Sequence, residues 1–336
     1  MKAYKLFKPH EAHVEDVEIP QLSNKNEVLV KMERGSICGT DVELYQGTMH
    51  TKKLPITMGH EASGIVLDIE EDVKNVKKGD NVIFYETVVD FVCPECRSGK
   101  FNLCRNGGLR GRDVDGLFSE EIAVDSKLIF PVHNVNKDVV SLIQPFATVV
   151  HGQSFVKINP GDLVVVLGLG STGLMHSALA EKKGANVIGI TRSKNKLDLS
   201  SEFGVTYPIN EINHPLEEVL KITGNEGASI VINTTPDPAM SKLAVKLVKR
   251  GGNIVQFGLT HKSLSLIQSD LYYKEIVMIN PRASTPSDYQ LAIRFVENNF
   301  INLQKLISNK YNFDEISTAV KNLSEGKEIK PVIIIN

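Results

Sequence analysis

The stretch NPGDLVVVLGLGSTGLMHSALAEKKGANVIGITRS, residues 159–193, constrains this chain more than any other. It reads as a turn, an unbroken apolar strand, a glycine cluster, a helix and a second apolar strand. Strands joined through a helix run parallel, and strands without polar alternation are buried on both faces. SIVINTTP (229–236), GGNIVQFG (251–258) and EIVMINPR (275–282), with helical stretches between them, extend the unit into a parallel sheet. Gly168, Gly170 and Gly173 fit G-x-G-x-x-G between the strand DLVVVL and the helix LMHSALAEKK. In that context the glycines permit a tight turn, the approach of a pyrophosphate and close helix packing. The helix N-terminus offers N–H groups and a positive dipole end to phosphates, so Ser171 and Thr172 join the expected nucleotide contacts.

The first 150 residues have another texture. EVLVKMERGSI (27–37), ASGIVLDI (62–69), KKGDNVIFYE (77–86) and LFSEEIAVD (117–125) are short β-rich runs broken by Gly-Asp and Asp-Gly turns. After about residue 285 come two helical patterns, DYQLAIRFVENN and FDEISTAVKNLSEG, and a closing strand PVIIIN. A chain of 336 residues with this change of texture divides into two domains. Its net charge of −2 excludes the basic stripe of a nucleic-acid binder. No apolar run approaches the ~20 residues that span a bilayer, and MKAYKLFKPHEAHVEDVEIP lacks the features of a signal peptide.

Three of the four cysteines fall within DFVCPECRSGKFNLC (90–104), spaced C-x2-C-x7-C. Without export signals, such a cluster points to metal binding in a reducing, cytoplasmic setting. A tetrahedral site wants one more ligand. Elsewhere SICGTD (36–41) and MGHEASG (58–64) offer Cys38 and His60, a thiolate and an imidazole of the kinds that bind zinc. Singly, each reads as an ordinary buried residue.

The order CGTD, GHE, cysteine lobe and GLGSTG resembles that of the zinc-dependent medium-chain alcohol and polyol dehydrogenases, over nearly the whole chain. The resemblance implies an α/β protein with a GroES-like β-rich catalytic domain, residues 1–150 and 285–336, and a doubly wound Rossmann domain, residues 151–284. It also implies two zinc ions. In the family the lobe reads C-x2-C-x2-C-x7-C; Cys93, Cys96 and Cys104 match its last three ligands, and Asp90 stands where the first would be. That zinc is structural in the family.

Cys38 and His60 match the first two ligands of the catalytic zinc, and Asp41 the acid that orients the ligand histidine. The family often places an acid or Cys seven residues before the histidine of a terminal HG; QPFATVVHG has Gln144 there. A neutral amide is a poor zinc ligand, so Glu61 is expected as the third protein ligand, as in the polyol and sugar branches. Gln144 is then expected beside the fourth position. Thr40 matches the family's proton-passing Ser/Thr, and Glu43 replaces a common relay histidine. Glu43 and Gln144, built to bind hydroxyls, favour a sugar or polyol over a simple alcohol. CGTD-x-E with a QP segment is similar to archaeal-type glucose and aldose dehydrogenases. A secondary-alcohol or threonine-type amino-alcohol dehydrogenase is the alternative.

An NAD enzyme carries an acid at the end of the second Rossmann strand. Here Thr191, Arg192 and Ser193 follow VIGI, with Lys196 beyond and no acid before Asp198, which favours NADP and leaves NAD usable. Phe257 and Asn280, at the ends of later strands, complete the expected cofactor contacts. By analogy with the family, a homodimer or homotetramer paired around EIVMIN is expected.

Overall fold

Leu163–Leu167 has no polar residue, and in the computed structural model, which describes all 336 residues, it lies at the centre of a six-stranded parallel sheet. From one edge the strands are Val205–Asn210, Asn186–Thr191, Leu163–Leu167, Ala228–Asn233, Val248–Gln256 and Val277–Ile279. In chain order this is 3-2-1-4-5-6, the doubly wound order whose reversal point opens a nucleotide crevice beyond the strand ends. Val165, Leu167, Ile188, Ile190, Val231 and Ile254 form its buried core. The sheet belongs to a unit of residues Thr148–Ala283. Its strand Val205–Asn210 was not expected from the sequence. VTYPIN exposes Thr206, Tyr207 and Pro208 and carries a proline, so it shows neither an apolar run nor alternation, as edge strands often do not. At the other edge, beside Val277–Ile279, Val277, Tyr272 and Tyr273 are exposed.

Met1–Ala147 and Ser284–Asn336 form the other unit. Its organising strand is Glu27–Ser36, in which Val28, Val30 and Met32 are buried in alternation. This strand pairs antiparallel with Ala62–Ile69, Glu121–Asp125 and the C-terminal strand Lys330–Ile334. The registers Gly35↔Ala62 and Val332↔Ser36 decide what meets at one end of the sheet. There the chain leaves Ser36 for Cys38, arrives at Ala62 from His60 and Glu61, and begins its last strand at Lys330. The two expected C-terminal helices are present as Pro286–Glu297 and Ile316–Ser324. Between them lies a strand the sequence did not suggest, Ile307–Asn312, parallel to Lys330–Ile334. No helix is long and apolar enough to cross a membrane.

Candidate active site

Cys38 is the N-cap of the helix Gly39–Gln46, and CGTD is a capping box: Asp41 Oδ2 accepts the Cys38 N–H at 2.8 Å. The box fixes the cysteine at the turn, while Ser36 N–H donates to Glu61 O at 2.9 Å and ties the histidine-bearing segment to the same strand end. As a result the ligand atoms of Cys38, His60 and Glu61 all lie within 4.8 Å of one another. His60 and Glu61 are buried and Cys38 is half-buried.

The charges around this group are unbalanced. Burial opposes a proton on His60, but the nearby Asp41 carboxylate and the Cys38 sulfur outweigh it and push the imidazole pKa up to about 10. Asp41 is fully buried, and burial raises its own pKa despite the pull of His60. Asp41 Oδ1 stands 3.8 Å from His60 Nδ1, too far for a hydrogen bond, and neither atom has a partner. Glu61 Oε2 accepts from Ser36 Oγ and is ion-paired with Lys330 Nζ, whereas Oε1 is buried without a partner. A sulfur, an imidazole and an orphaned carboxylate oxygen converging on one point are a donor set that fits zinc.

Lys330 was not anticipated. It is 2% exposed, and its Nζ also donates to Ile37 O at 3.2 Å. The available signal was a lysine heading the apolar strand KPVII, where a charge must be buried with a partner. Glu86 was missed too: it is buried and accepts from Tyr289 Oη at 2.6 Å and Ser284 Oγ at 3.0 Å. Burial raises its pKa, against those two bonds and the influence of His60. Thr40 and Glu43 are half-buried on the helix that Cys38 caps, and Gln144 is buried in the first turn of Ile143–Ser154.

The second donor group is Asp90, Cys93, Cys96 and Cys104, again within 4.8 Å of one another. Asp90 Oδ1 accepts the N–H groups of Cys93 and Val92, both at 3.0 Å, and Oδ2 accepts from Asn106 at 2.7 Å. The Cys93 N–H, then Asn106, hold the Asp90 carboxyl far below the usual range, so it is an anion available to a metal. We expect two zinc ions per chain in the purified protein, and the loss of one on Asp90→Ala with Cys93, Cys96 and Cys104 intact. A wild-type chain holding one zinc tightly and no second would sink the four-donor reading.

The other unit carries a groove of about 380 Å³ at the carboxyl ends of its strands. Gly168, Gly170, Thr172, Thr191, Arg192, Ser193 and Lys196 line it, as expected from the sequence. Gly168 has φ +84, and a Cβ on Gly173 would stand 1.9 Å from Gly168 O, so neither position admits a side chain. Space is open around Gly170, the N-cap of the helix Ser171–Lys182, where a phosphate would rest. Phe257 and Asn280 do not line this groove; Phe257 packs edge-on against His176 at 4.6 Å. The groove also holds an acid absent from the sequence expectation. Glu211 follows the overlooked strand Val205–Asn210, whose register Thr191↔Asn210 sets it beside Arg192, with Oε2 at 3.5 Å from Arg192 Nε. The acid that the second strand lacks is delivered by the third.

Residues 24–134 match the alcohol dehydrogenase GroES-like domain and residues 171–298 the zinc-binding dehydrogenase domain. The L-threonine 3-dehydrogenase of Bacillus licheniformis is 30% identical, with 99% of both chains covered. The chain belongs to the zinc-binding medium-chain dehydrogenase/reductase superfamily. Sorbitol dehydrogenase of Halalkalibacterium halodurans is 28% identical over 92% of each chain. An alcohol dehydrogenase from Thermus sp. ATN1 shares the fold, with a TM-score of 0.93, 24% identity and 99% of each chain covered. This dehydrogenase is a zinc-associated, NAD(P)-dependent enzyme acting on CH–OH groups, with one donor set suited to a catalytic zinc and one to a structural zinc.

Proposed function

We propose that this dehydrogenase interconverts a sugar or polyol hydroxyl with its carbonyl and prefers NADP. The observation that carries the substrate class is the acidic third donor: Glu61 beside Cys38 and His60, with Gln144 and Glu43 as further hydrogen-bonding groups. The same residues support the narrower likeness to glucose and aldose dehydrogenases. Cys38, His60 and Glu61 would hold a zinc ion, which when bound would supply a Lewis acid that lowers a hydroxyl's pKa toward the neutral range. The chain's part is to receive the proton, through Thr40 and then Glu43 on the helix Gly39–Gln46, and to hold neighbouring hydroxyls with Gln144. Asp41 keeps His60 in place by charge.

The identity to an L-threonine 3-dehydrogenase favours a second reading, an amino-alcohol or secondary-alcohol substrate. Steady-state rates with sugars, polyols, simple alcohols and L-threonine, using both nicotinamides, separate the two. Turnover of simple secondary alcohols alone would overturn the polyol reading. A homodimer or homotetramer joined along the open edge at Val277–Ile279 belongs to the same proposal, and a monomer in light scattering would refute it.

For the cofactor, burial lowers the Lys196 pKa, a cation that gains from an arriving anion. Arg192 is largely exposed and free to turn from Glu211 to a 2′-phosphate, with Thr191 and Ser193 as hydroxyl donors. Arg192→Ala is expected to raise KM for NADP about tenfold and to leave that for NAD nearly unchanged, the worth of a charged hydrogen bond. Glu211→Gln is expected to lower KM for NADP by removing a like charge. A wild-type enzyme that clearly favours NAD, together with a Glu211→Gln variant that loses NAD affinity, would assign Glu211 to the ribose hydroxyls and defeat the NADP proposal.

A further inference from the structure

Arg110 follows the short strand Gly108–Leu109, and its N–H donates to Glu86 O at 2.9 Å. Its neighbour Gly111 lies backbone against backbone on Gly59: a Cβ there would stand 2.7 Å from Gly59 N and 2.8 Å from Gly59 O. Gly59 immediately precedes His60, so Arg110 is carried by the loop packed against the entry to the metal-binding group. Nothing in the sequence marked it.

Arg110 is 8% exposed, and its Nε has no hydrogen-bond partner. No carboxylate pairs with it; burial alone acts on the guanidinium and lowers its pKa to about 10, which leaves it charged at neutral pH. The contrast with its neighbours is sharp. Arg34, equally buried, donates to Asp138 at 2.7 Å, and Arg112 donates to Asp113 at 2.6 Å. A buried charge without a partner is costly, and folds keep one where an anion arrives to meet it. The planar fork of arginine suits the paired oxygens of a carboxylate or phosphate. Lys330, the other buried cation of this region, is already ion-paired with Glu61, whereas the Arg110 Nε has no partner.

We propose that Arg110 is a specificity-determining residue that binds an anionic group, a phosphate ester or a carboxylate, on the substrate's polyol chain away from the reacting hydroxyl. This rests on the reading that Cys38, His60 and Glu61 form the site where a polyol reacts. The zinc-loaded enzyme is assayed with sorbitol, sorbitol 6-phosphate and gluconate, and with L-threonine and 2-butanol as references. At least one of the two anionic polyols is expected to exceed sorbitol in kcat/KM by about 100-fold, and which one identifies the group. Arg110→Gln is expected to collapse that anionic-to-neutral ratio about 100-fold, chiefly through KM, and Arg110→Lys to restore part of it. The thermal midpoint of Arg110→Gln is expected to hold or rise, because the variant removes an unpaired buried charge. A lower midpoint, or an equal loss on sorbitol and its anionic derivatives, would make Arg110 structural and overturn the proposal. Turnover of sorbitol alone leaves the polyol reading standing and removes Arg110's role. Turnover of L-threonine alone, with a KM that depends on Arg110, removes the polyol reading and keeps the anion site. Turnover of 2-butanol alone removes both.

Discussion

Cys38→Ser is expected to lower kcat by at least about a thousandfold, because the several kcal/mol that a Lewis acid contributes depend on the ion being held. The substitution isolates the chemistry well. Serine is a preferred N-cap residue, and the Asp41 carboxylate would still accept the backbone N–H of residue 38, so the helix Gly39–Gln46 keeps its start. What changes is the donor atom, from a sulfur suited to zinc to a hydroxyl that binds it poorly. Gly168, Thr191 and Lys196 belong to the other unit, so NADP binding, measured by calorimetry, is expected to stay within about threefold; a charged hydrogen bond gained or lost would move it further. Zinc content should fall toward the single ion of the cysteine lobe. A Cys38→Ser enzyme with a near-normal rate would mean that the zinc reading of this site is wrong.

The parts legible in the sequence were those whose signal is local. Leu163–Leu167 and its glycine turn announce a parallel strand and a phosphate-binding helix start within a dozen residues, and the structure has both. The three cysteines of the lobe lie in one short segment and their spacing spoke for them, whereas Asp90 as the fourth donor came from the resemblance to the family's lobe, and the structure brings all four together. Cys38 with Asp41 in CGTD, and His60 with Glu61 in GHE, stood out through the family resemblance of these short motifs, although only the antiparallel register of Glu27–Ser36 with Ala62–Ile69 explains why they meet.

The residues that escaped notice act across long sequence separations or lack a motif. Glu211 was missed because its strand was missed: an exposed edge strand with Pro208 does not have to look like a strand. Lys330 and Glu61 are 269 positions apart, and only the C-terminal strand's register beside Ser36 joins them. Arg110 is recognised only by what surrounds it, since an arginine in a loop is normally solvated and here it is not. The charge balance of a site is a property of packing, and a sequence pattern does not contain it.

That balance leads to the second large effect. Lys330→Met is expected to destabilise metal-stripped protein by about 3–5 kcal/mol, the usual result of removing one member of a buried ion pair. Lys330 and Glu61 are 2% and 1% exposed, so water cannot take the lysine's place, and Asp41 adds a second buried carboxyl to the group. Glu61 would keep only Ser36 as a donor, with both oxygens short of partners. Zinc should moderate the damage, because a dication beside Glu61 neutralises the charge that lysine leaves behind, and ligands of the native state add their binding energy to stability. The destabilisation is therefore expected to be larger after chelation than in the zinc-loaded enzyme, and Lys330→Arg to recover most of it. Urea unfolding midpoints of the three proteins, with and without a chelator, measure this directly. Equal midpoints for wild type and Lys330→Met in chelator would show that the pair contributes nothing. A loss of the same size with and without zinc would place the cost in the packing of the strand Lys330–Ile334 and separate Lys330 from the charge of the metal site.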